Sequence, residues 1–163
     1  MKDVLAVYAG SFDPPTFGHF DLIERASKVF SNVVIAIGRH PTKKPLFSLE
    51  ERISLLAEIT RGMDNVRIDS FDGLLIQYCE RINARVIVRG LRAATDFEYE
   101  LQIAHANADM SPEIDTLFLP TRTKYTFISA SLIREIASHG GNVSHYAPAI
   151  VCEALKAKFG KGG

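Results

Sequence analysis

Two short runs of this chain hold residue types suited to phosphate chemistry. The first is Thr16-Phe17-Gly18-His19, which follows an apolar run, Val4–Ala9, that stops at Gly10. Here a histidine stands where a helical pattern begins. Gly18 lets backbone approach a phosphate closely. The helix start supplies oriented N–H groups and a partial positive charge. His19 can donate a hydrogen bond to a phosphate oxygen. The second run is Tyr125-Thr126-Phe127-Ile128-Ser129-Ala130-Ser131-Leu132-Ile133-Arg134, another loop-to-helix junction, rich in hydroxyls. Taken singly, His19 fits a surface or capping histidine, and Ser129 fits an ordinary N-cap. Taken as a pair, they point to one anionic ligand held from two sides.

The elements that must carry these runs alternate. Apolar runs predict strands at Val4–Ala9, Val33–Ile37, Val66–Ile68, Val86–Val88 and Thr116–Leu119. Helical spacing follows each: 18–30, then from Ser48 through Ile59, then from an Asp72 cap to Ile82. Later helices run to about Asp109, from about Ser129 to Ser138, and from Pro148 to near Phe159. In the first helix, Asp21, Glu24, Arg25 and Lys28 fall largely on the polar side. Ser48-Leu49-Glu50-Glu51 and Thr95-Asp96-Phe97-Glu98 both read as capping boxes. This pattern predicts an α/β fold: a doubly wound five-stranded parallel sheet with helices on both faces. Residues 1–163 read as one domain, with about 160–163 as a frayed tail.

In such sheets ligands bind beyond the carboxyl ends of the strands. What the sequence places there is consistent in kind. Ser11, Thr16 and His19 follow the first strand, and Arg39, His40, Lys43 and Lys44 the second. Asp72 follows the third, Arg89 and Arg92 the fourth, and Thr121, Arg122, Lys124, Ser129 and Ser131 the fifth. The chain's 19 Lys+Arg and 19 Asp+Glu cancel. That balance argues against nucleic-acid binding by bulk charge, yet it allows a local basic pocket for a phosphorylated small molecule. Phe12, Phe71 and Tyr99 read as core or pocket wall, and Asp13 as an organiser of the first loop. Cys79 and Cys152 lack any metal-ligand spacing and read as reduced cysteines, so no structural zinc is expected. No apolar run nears the ~20 residues that span a bilayer, and the N-terminal run is too short for a signal peptide. A cytoplasmic protein with no membrane partner is expected.

The Thr16–His19 run resembles the HxGH-type signature of the nucleotidyltransferase superfamily, and the Ile128–Ser131 run resembles its ISSS-type signature. Three further stretches narrow the resemblance: Gly10-Ser11-Phe12-Asp13-Pro14, Lys43-Lys44-Pro45-Leu46-Phe47, and Arg89-Gly90-Leu91-Arg92 with Asp96-Phe97-Glu98-Tyr99-Glu100. Across essentially its whole length the chain is similar to bacterial phosphopantetheine adenylyltransferases. That resemblance implies transfer of AMP from ATP to 4′-phosphopantetheine, giving 3′-dephospho-CoA and pyrophosphate. It also implies Mg2+ dependence, a homohexamer and feedback inhibition by CoA.

By position, the resemblance implies that His19, Lys43 and Arg92 serve catalysis. Ser11, Lys43, Leu75 and Arg89 would bind the acceptor. Ser11, Phe12, His19, Gly90, Leu91, Arg92, Glu100, Tyr125, Thr126, Phe127, Ile128, Ser129, Ala130 and Ser131 would bind ATP. Two departures stand out. Ser11 occupies a place often filled by Thr, and Ala130 interrupts the family's serine run. The chemistry asks little else. A phosphate acceptor is already an anionic nucleophile, so catalysis reduces to alignment and stabilisation of the α-phosphoryl charge. Magnesium would ride mainly on the nucleotide's own phosphates, with no protein metal ligands expected. Another nucleotidyltransferase of the same fold, making NAD or a CDP-alcohol, and a non-catalytic nucleotide sensor are the competing readings.

Overall fold

The computed structural model describes residues 3–40 and 44–160. Five strands, β1 (Leu5–Gly10), β2 (Asn32–Gly38), β3 (Val66–Phe71), β4 (Val86–Leu91) and β5 (Asp115–Pro120), form one all-parallel sheet in the order β3-β2-β1-β4-β5. The helices are α1 (Phe17–Val29), α2 (Leu49–Ile59), α3 (Leu75–Arg81), α4 (Ala94–Met110), α5 (Ala130–Ser138) and α6 (Ala149–Phe159).

β1 and β2 are continuous apolar runs because both their faces are covered. Alternate residues of β1 point to opposite sides. Val7 and Ala9 join Val34, Ala36 and Ile87 in a cluster closed by Ile76, Tyr78 and Cys79 of α3. Ala6 and Tyr8 join Ile35, Ile37 and Val88 on the other face, under Leu22 and Ile23 of α1 and Leu56 of α2. α4 packs on β4 and β5. α5 and α6 build a third cluster with Phe47 and Leu55. The chain winds outward from β1 to β3, then crosses to β4 and winds the other way. The switch point therefore lies between β1 and β4, where the expected site residues gather.

Several local expectations need correction. β3 runs on to Phe71, and Asp72 caps nothing: the chain turns at Gly73 (φ +77°) and α3 begins at Leu75 without a side-chain cap. Asp72 instead pairs with Arg39 across the strand ends. β4 continues through Arg89 and Gly90 to Leu91, because the β5 register Phe118, Leu119, Pro120 pairs with all three. The second capping box is absent. α4 starts at Ala94, and Asp96 accepts from the backbone N–H and Nε of Arg92 instead. Tyr99 is 66% exposed, neither core nor wall. Asp21, expected on the polar side of α1, is buried against Arg25 and Arg122.

Candidate active site

Thr16 is the N-cap of α1. Its Oγ1 accepts from the His19 backbone N–H at 3.2 Å, and its own N–H donates to His19 Nδ1 at 3.0 Å. With Nδ1 engaged as an acceptor, a neutral imidazole carries its proton on Nε2. The ring is held edge-on to Phe12, centroids 4.9 Å apart. Burial first, and then the positive charge of Arg92, push His19 down from its ordinary value to about 4. The side chain is thus a neutral donor at physiological pH, aimed by its own helix cap. Phe12 makes this possible by adopting a left-handed φ of 48° with its ring fully buried. Asp13 organises the loop as expected: its carboxylate accepts from Leu46 N–H at 2.8 Å and Phe47 N–H at 2.9 Å, with Arg134 beside it at 3.6 Å.

At the end of β4, Arg89 donates through Nε and Nη2 to the two Glu100 oxygens, each at 2.7 Å, and through Nη1 to the Ala9 carbonyl at 3.1 Å. The bidentate pair raises the Arg89 pKa and pins its fork between β1 and α4. Gly90 is explained by close packing, since a Cβ there would stand 2.4 Å from Leu22 Cδ1. A Cβ at Gly18 would meet Thr16 Oγ1 at 3.4 Å, an ordinary contact, so no protein neighbour requires that glycine. Ser129 is the N-cap of α5, its Oγ accepting from Leu132 N–H at 3.1 Å. Phe17 stacks near Tyr125, centroids 6.3 Å apart, which ties the two phosphate-type motifs together.

Two cavities open at the switch point. The larger, about 1340 Å³, combines an apolar wall including Leu75, Ile87 and Ile103 with cations such as Lys44 and Arg39. The smaller, about 350 Å³, is lined by Thr16, His19, Arg92, Thr121 and Ser129 among others. They share Ala9, Gly10, Ser11, Arg89, Glu100 and Ala130. The arrangement suits two anionic molecules meeting at Ser11. No group of three or more His, Cys, Asp or Glu that could hold a metal stands together among the described residues.

A cytidylyltransferase-like family model matches residues 7–136. The phosphopantetheine adenylyltransferase of Thermosynechococcus vestitus is 52% identical over 156 residues, 96% of this chain and 93% of that protein. The one from Caldanaerobacter subterraneus is 48% identical over 157 residues, 96% of this chain and 98% of that protein. The chain belongs to the phosphopantetheine adenylyltransferase family. A crystal structure described as a nicotinate-nucleotide adenylyltransferase from Vibrio parahaemolyticus shares the fold, with a TM-score of 0.72 at 19% identity, covering 94% of this chain and 98% of that one.

As a phosphopantetheine adenylyltransferase family member, the chain brings most of its expected site residues together. Ser11, His19, Arg89, Gly90, Arg92, Glu100, Tyr125, Ile128, Ser129 and Ala130 line the smaller cavity. Leu75 and Ser131 line the larger. Phe12, Leu91, Thr126 and Phe127 line neither: Phe12 supports His19 from below, and Phe127 packs edge-on to Tyr146. Lys43 lies outside the described residues. Sequence reasoning missed the buried Asp21, which takes Arg25 Nη1 at 3.2 Å and Arg122 Nε at 3.0 Å. Arg25 also donates to the Pro120 carbonyl at 2.8 Å, so α1 holds the end of β5. Helical periodicity does not reveal such a residue, because its second partner, Arg122, lies about a hundred positions away.

Proposed function

We propose that this chain transfers AMP from ATP to 4′-phosphopantetheine, releasing pyrophosphate and 3′-dephospho-CoA. The observation that carries the reading is the meeting of the two cavities at Ser11. The smaller suits the nucleotide, with a neutral histidine donor, Arg92 and hydroxyls. The larger suits a phosphate joined to a long, mostly apolar amide arm. The acceptor phosphate attacks the α-phosphorus of ATP in line and pyrophosphate leaves. No covalent enzyme intermediate is needed, because the acceptor oxygen is already anionic.

His19 donates from Nε2 to the α-phosphate oxygen as charge builds there. Arg92 sits beside it and steers the triphosphate. Arg89, locked by Glu100, presents its remaining N–H groups to the acceptor, with Lys43 as a second cation. The N–H groups at the start of α5, after Ser129, supply donors that survive the loss of a hydroxyl at Ala130. Magnesium enters on the phosphates of the nucleotide, as part of the substrate. CoA shares the acceptor's arm and competes for the larger cavity. The working assembly is a homohexamer, and the exposed apolar residues Phe97 and Tyr99 of α4 and Leu117 of β5 give it area to bury. No helix among the described residues is long and apolar enough to cross a membrane, and the reaction belongs in the cytoplasm, where ATP is supplied.

The test is pyrophosphate release with ATP and one of two acceptors. Turnover with 4′-phosphopantetheine and none with nicotinamide mononucleotide is expected. The reverse preference overturns the reading, and ATP binding without turnover favours a sensor.

A further inference from the structure

Four arginines line the larger cavity: Arg39, Arg52, Arg89 and Arg134. Three already face a carboxylate, Arg39 with Asp72, Arg89 with Glu100 and Arg134 with Asp13. Arg52 makes no ion pair with any described residue. It stands on the inner side of α2 and is 6% exposed. Its bonds go to neutral carbonyls: Nε donates to Ser48 O at 3.3 Å, and Nη1 donates to Ser11 O at 2.9 Å. Glu50, two residues before it, is exposed and feels the Arg52 charge, but the two are not within ion-pair distance. A guanidinium stays charged and carries five N–H donors. Among the described residues no partner stands at Nη2, and Arg52 lines the larger cavity.

A charge taken out of water is costly unless another charge meets it. A protein that needed only a strut under Ser11 could use a neutral amide. We propose that Arg52 binds the phosphate of the acceptor, and that the same side chain fixes Ser11 at the junction of the two cavities. The inference rests on the proposed adenylyl transfer to 4′-phosphopantetheine. Arg52 completes the cluster: the other three arginines are compensated within the chain, and this one is compensated by the incoming phosphate. Because Arg52 also holds the Ser11 carbonyl, phosphate binding and loop geometry are joined in one residue.

The experiment compares calorimetric binding of 4′-phosphopantetheine and of pantetheine, which lacks the phosphate, to the wild-type chain, Arg52→Gln and Arg52→Lys. Wild type should prefer the phosphorylated form. In Arg52→Gln that preference should shrink by about 10-fold or more, the scale of a charge-assisted bond, while pantetheine affinity holds and the KM for ATP stays within about 2-fold. Equal weakening of both pantetheine forms, or an unchanged preference, overturns the proposal. If Arg52→Gln does not fold, Arg52→Lys decides. A half-desolvated lysine loses its proton more readily than arginine, so its 4′-phosphopantetheine affinity should fall between pH 7 and 9 relative to wild type. A pH response equal to wild type overturns the proposal. Wild-type turnover with an unmoved preference sinks this inference alone, whereas a wild type that neither binds 4′-phosphopantetheine nor releases pyrophosphate overturns the adenylyl-transfer reading with it.

Discussion

His19 shows how one side chain can be aimed by its own helix. Thr16 and His19 cap each other, which leaves Nε2–H facing the smaller cavity. A donor directed at a developing oxyanion is worth about 10²–10³ in kcat. His19→Ala should lower kcat by that amount with the KM for ATP little changed, measured by pyrophosphate release. Near-normal turnover in a folded variant would remove the role. The lowered pKa also has a stability consequence. The unfolded chain takes up a proton near the ordinary 6.5, and the folded chain only near 4. Between those values the unfolded state binds more protons, so stability falls as pH falls from about 6.5 to about 4. The loss should be on the order of 1–3 kcal/mol. His19→Gln should lack it. Urea titrations of both chains at pH 7 and pH 4.5 measure the difference, and identical pH responses would contradict it.

At the scale of elements, each site residue is placed by a strand end or a helix start. Ser129 is one such case. Its hydroxyl caps α5, so Ser129→Ala should cost about 1 kcal/mol of stability. Ser129→Asp keeps a good cap but brings a negative charge to the smaller cavity. It should melt close to wild type and raise the KM for ATP about 10-fold or more. If its ATP kinetics match wild type, the start of α5 does not meet the phosphates. Gly90 is a second case, set by packing between β4 and α1. Gly90→Ala forces its Cβ against Leu22 and should cost about 1–3 kcal/mol. Adding Leu22→Ala should cost less than its single-variant value, a coupling that denaturation of the four chains would read.

These elements also show what was legible in the sequence. The strands, their parallel winding and both phosphate-type junctions follow from period and from cap chemistry, which are local. The first capping box, at Ser48, forms as read, with Glu51 reaching back to the Ser48 N–H at 2.7 Å. The second does not form, because Asp96 finds Arg92. Asp72 is likewise taken by Arg39. In both cases the cap lost to a cation, four residues upstream for Asp96 and from the end of β2 for Asp72. The apolar run ends the fourth strand at Val88, yet the Arg89 backbone is held by β5 and its fork by Glu100. Nothing in its local pattern marks Arg52, and only the tertiary fold brings it under Ser11.

At the scale of the molecule, the sheet ends at β5, whose outer edge has no strand beside it among the described residues. Leu117 of β5 is 41% exposed, Phe97 of α4 packs on Phe118 and is 41% exposed, and Tyr99 of the same helix is 66% exposed. An open edge strand with apolar neighbours invites pairing with another chain and is normally covered or blunted. α4 fits that picture: it is 17 residues long, yet only Asn107 is buried. The helix that carries Glu100, and so fixes Arg89, is therefore held from one side alone in a single chain. Copies of the chain meeting at α4 and β5 would complete its packing and stiffen the acceptor end of the site. Sedimentation should show a species near six times the 18.0 kDa of one chain. Leu117→Asp and Tyr99→Asp each place a charge where apolar area is to be buried. Together they should yield smaller species that keep their helical signal and lose affinity for 4′-phosphopantetheine more than for ATP. A wild type that sediments as one chain, or a double variant that still forms the large species, would place the contacts elsewhere.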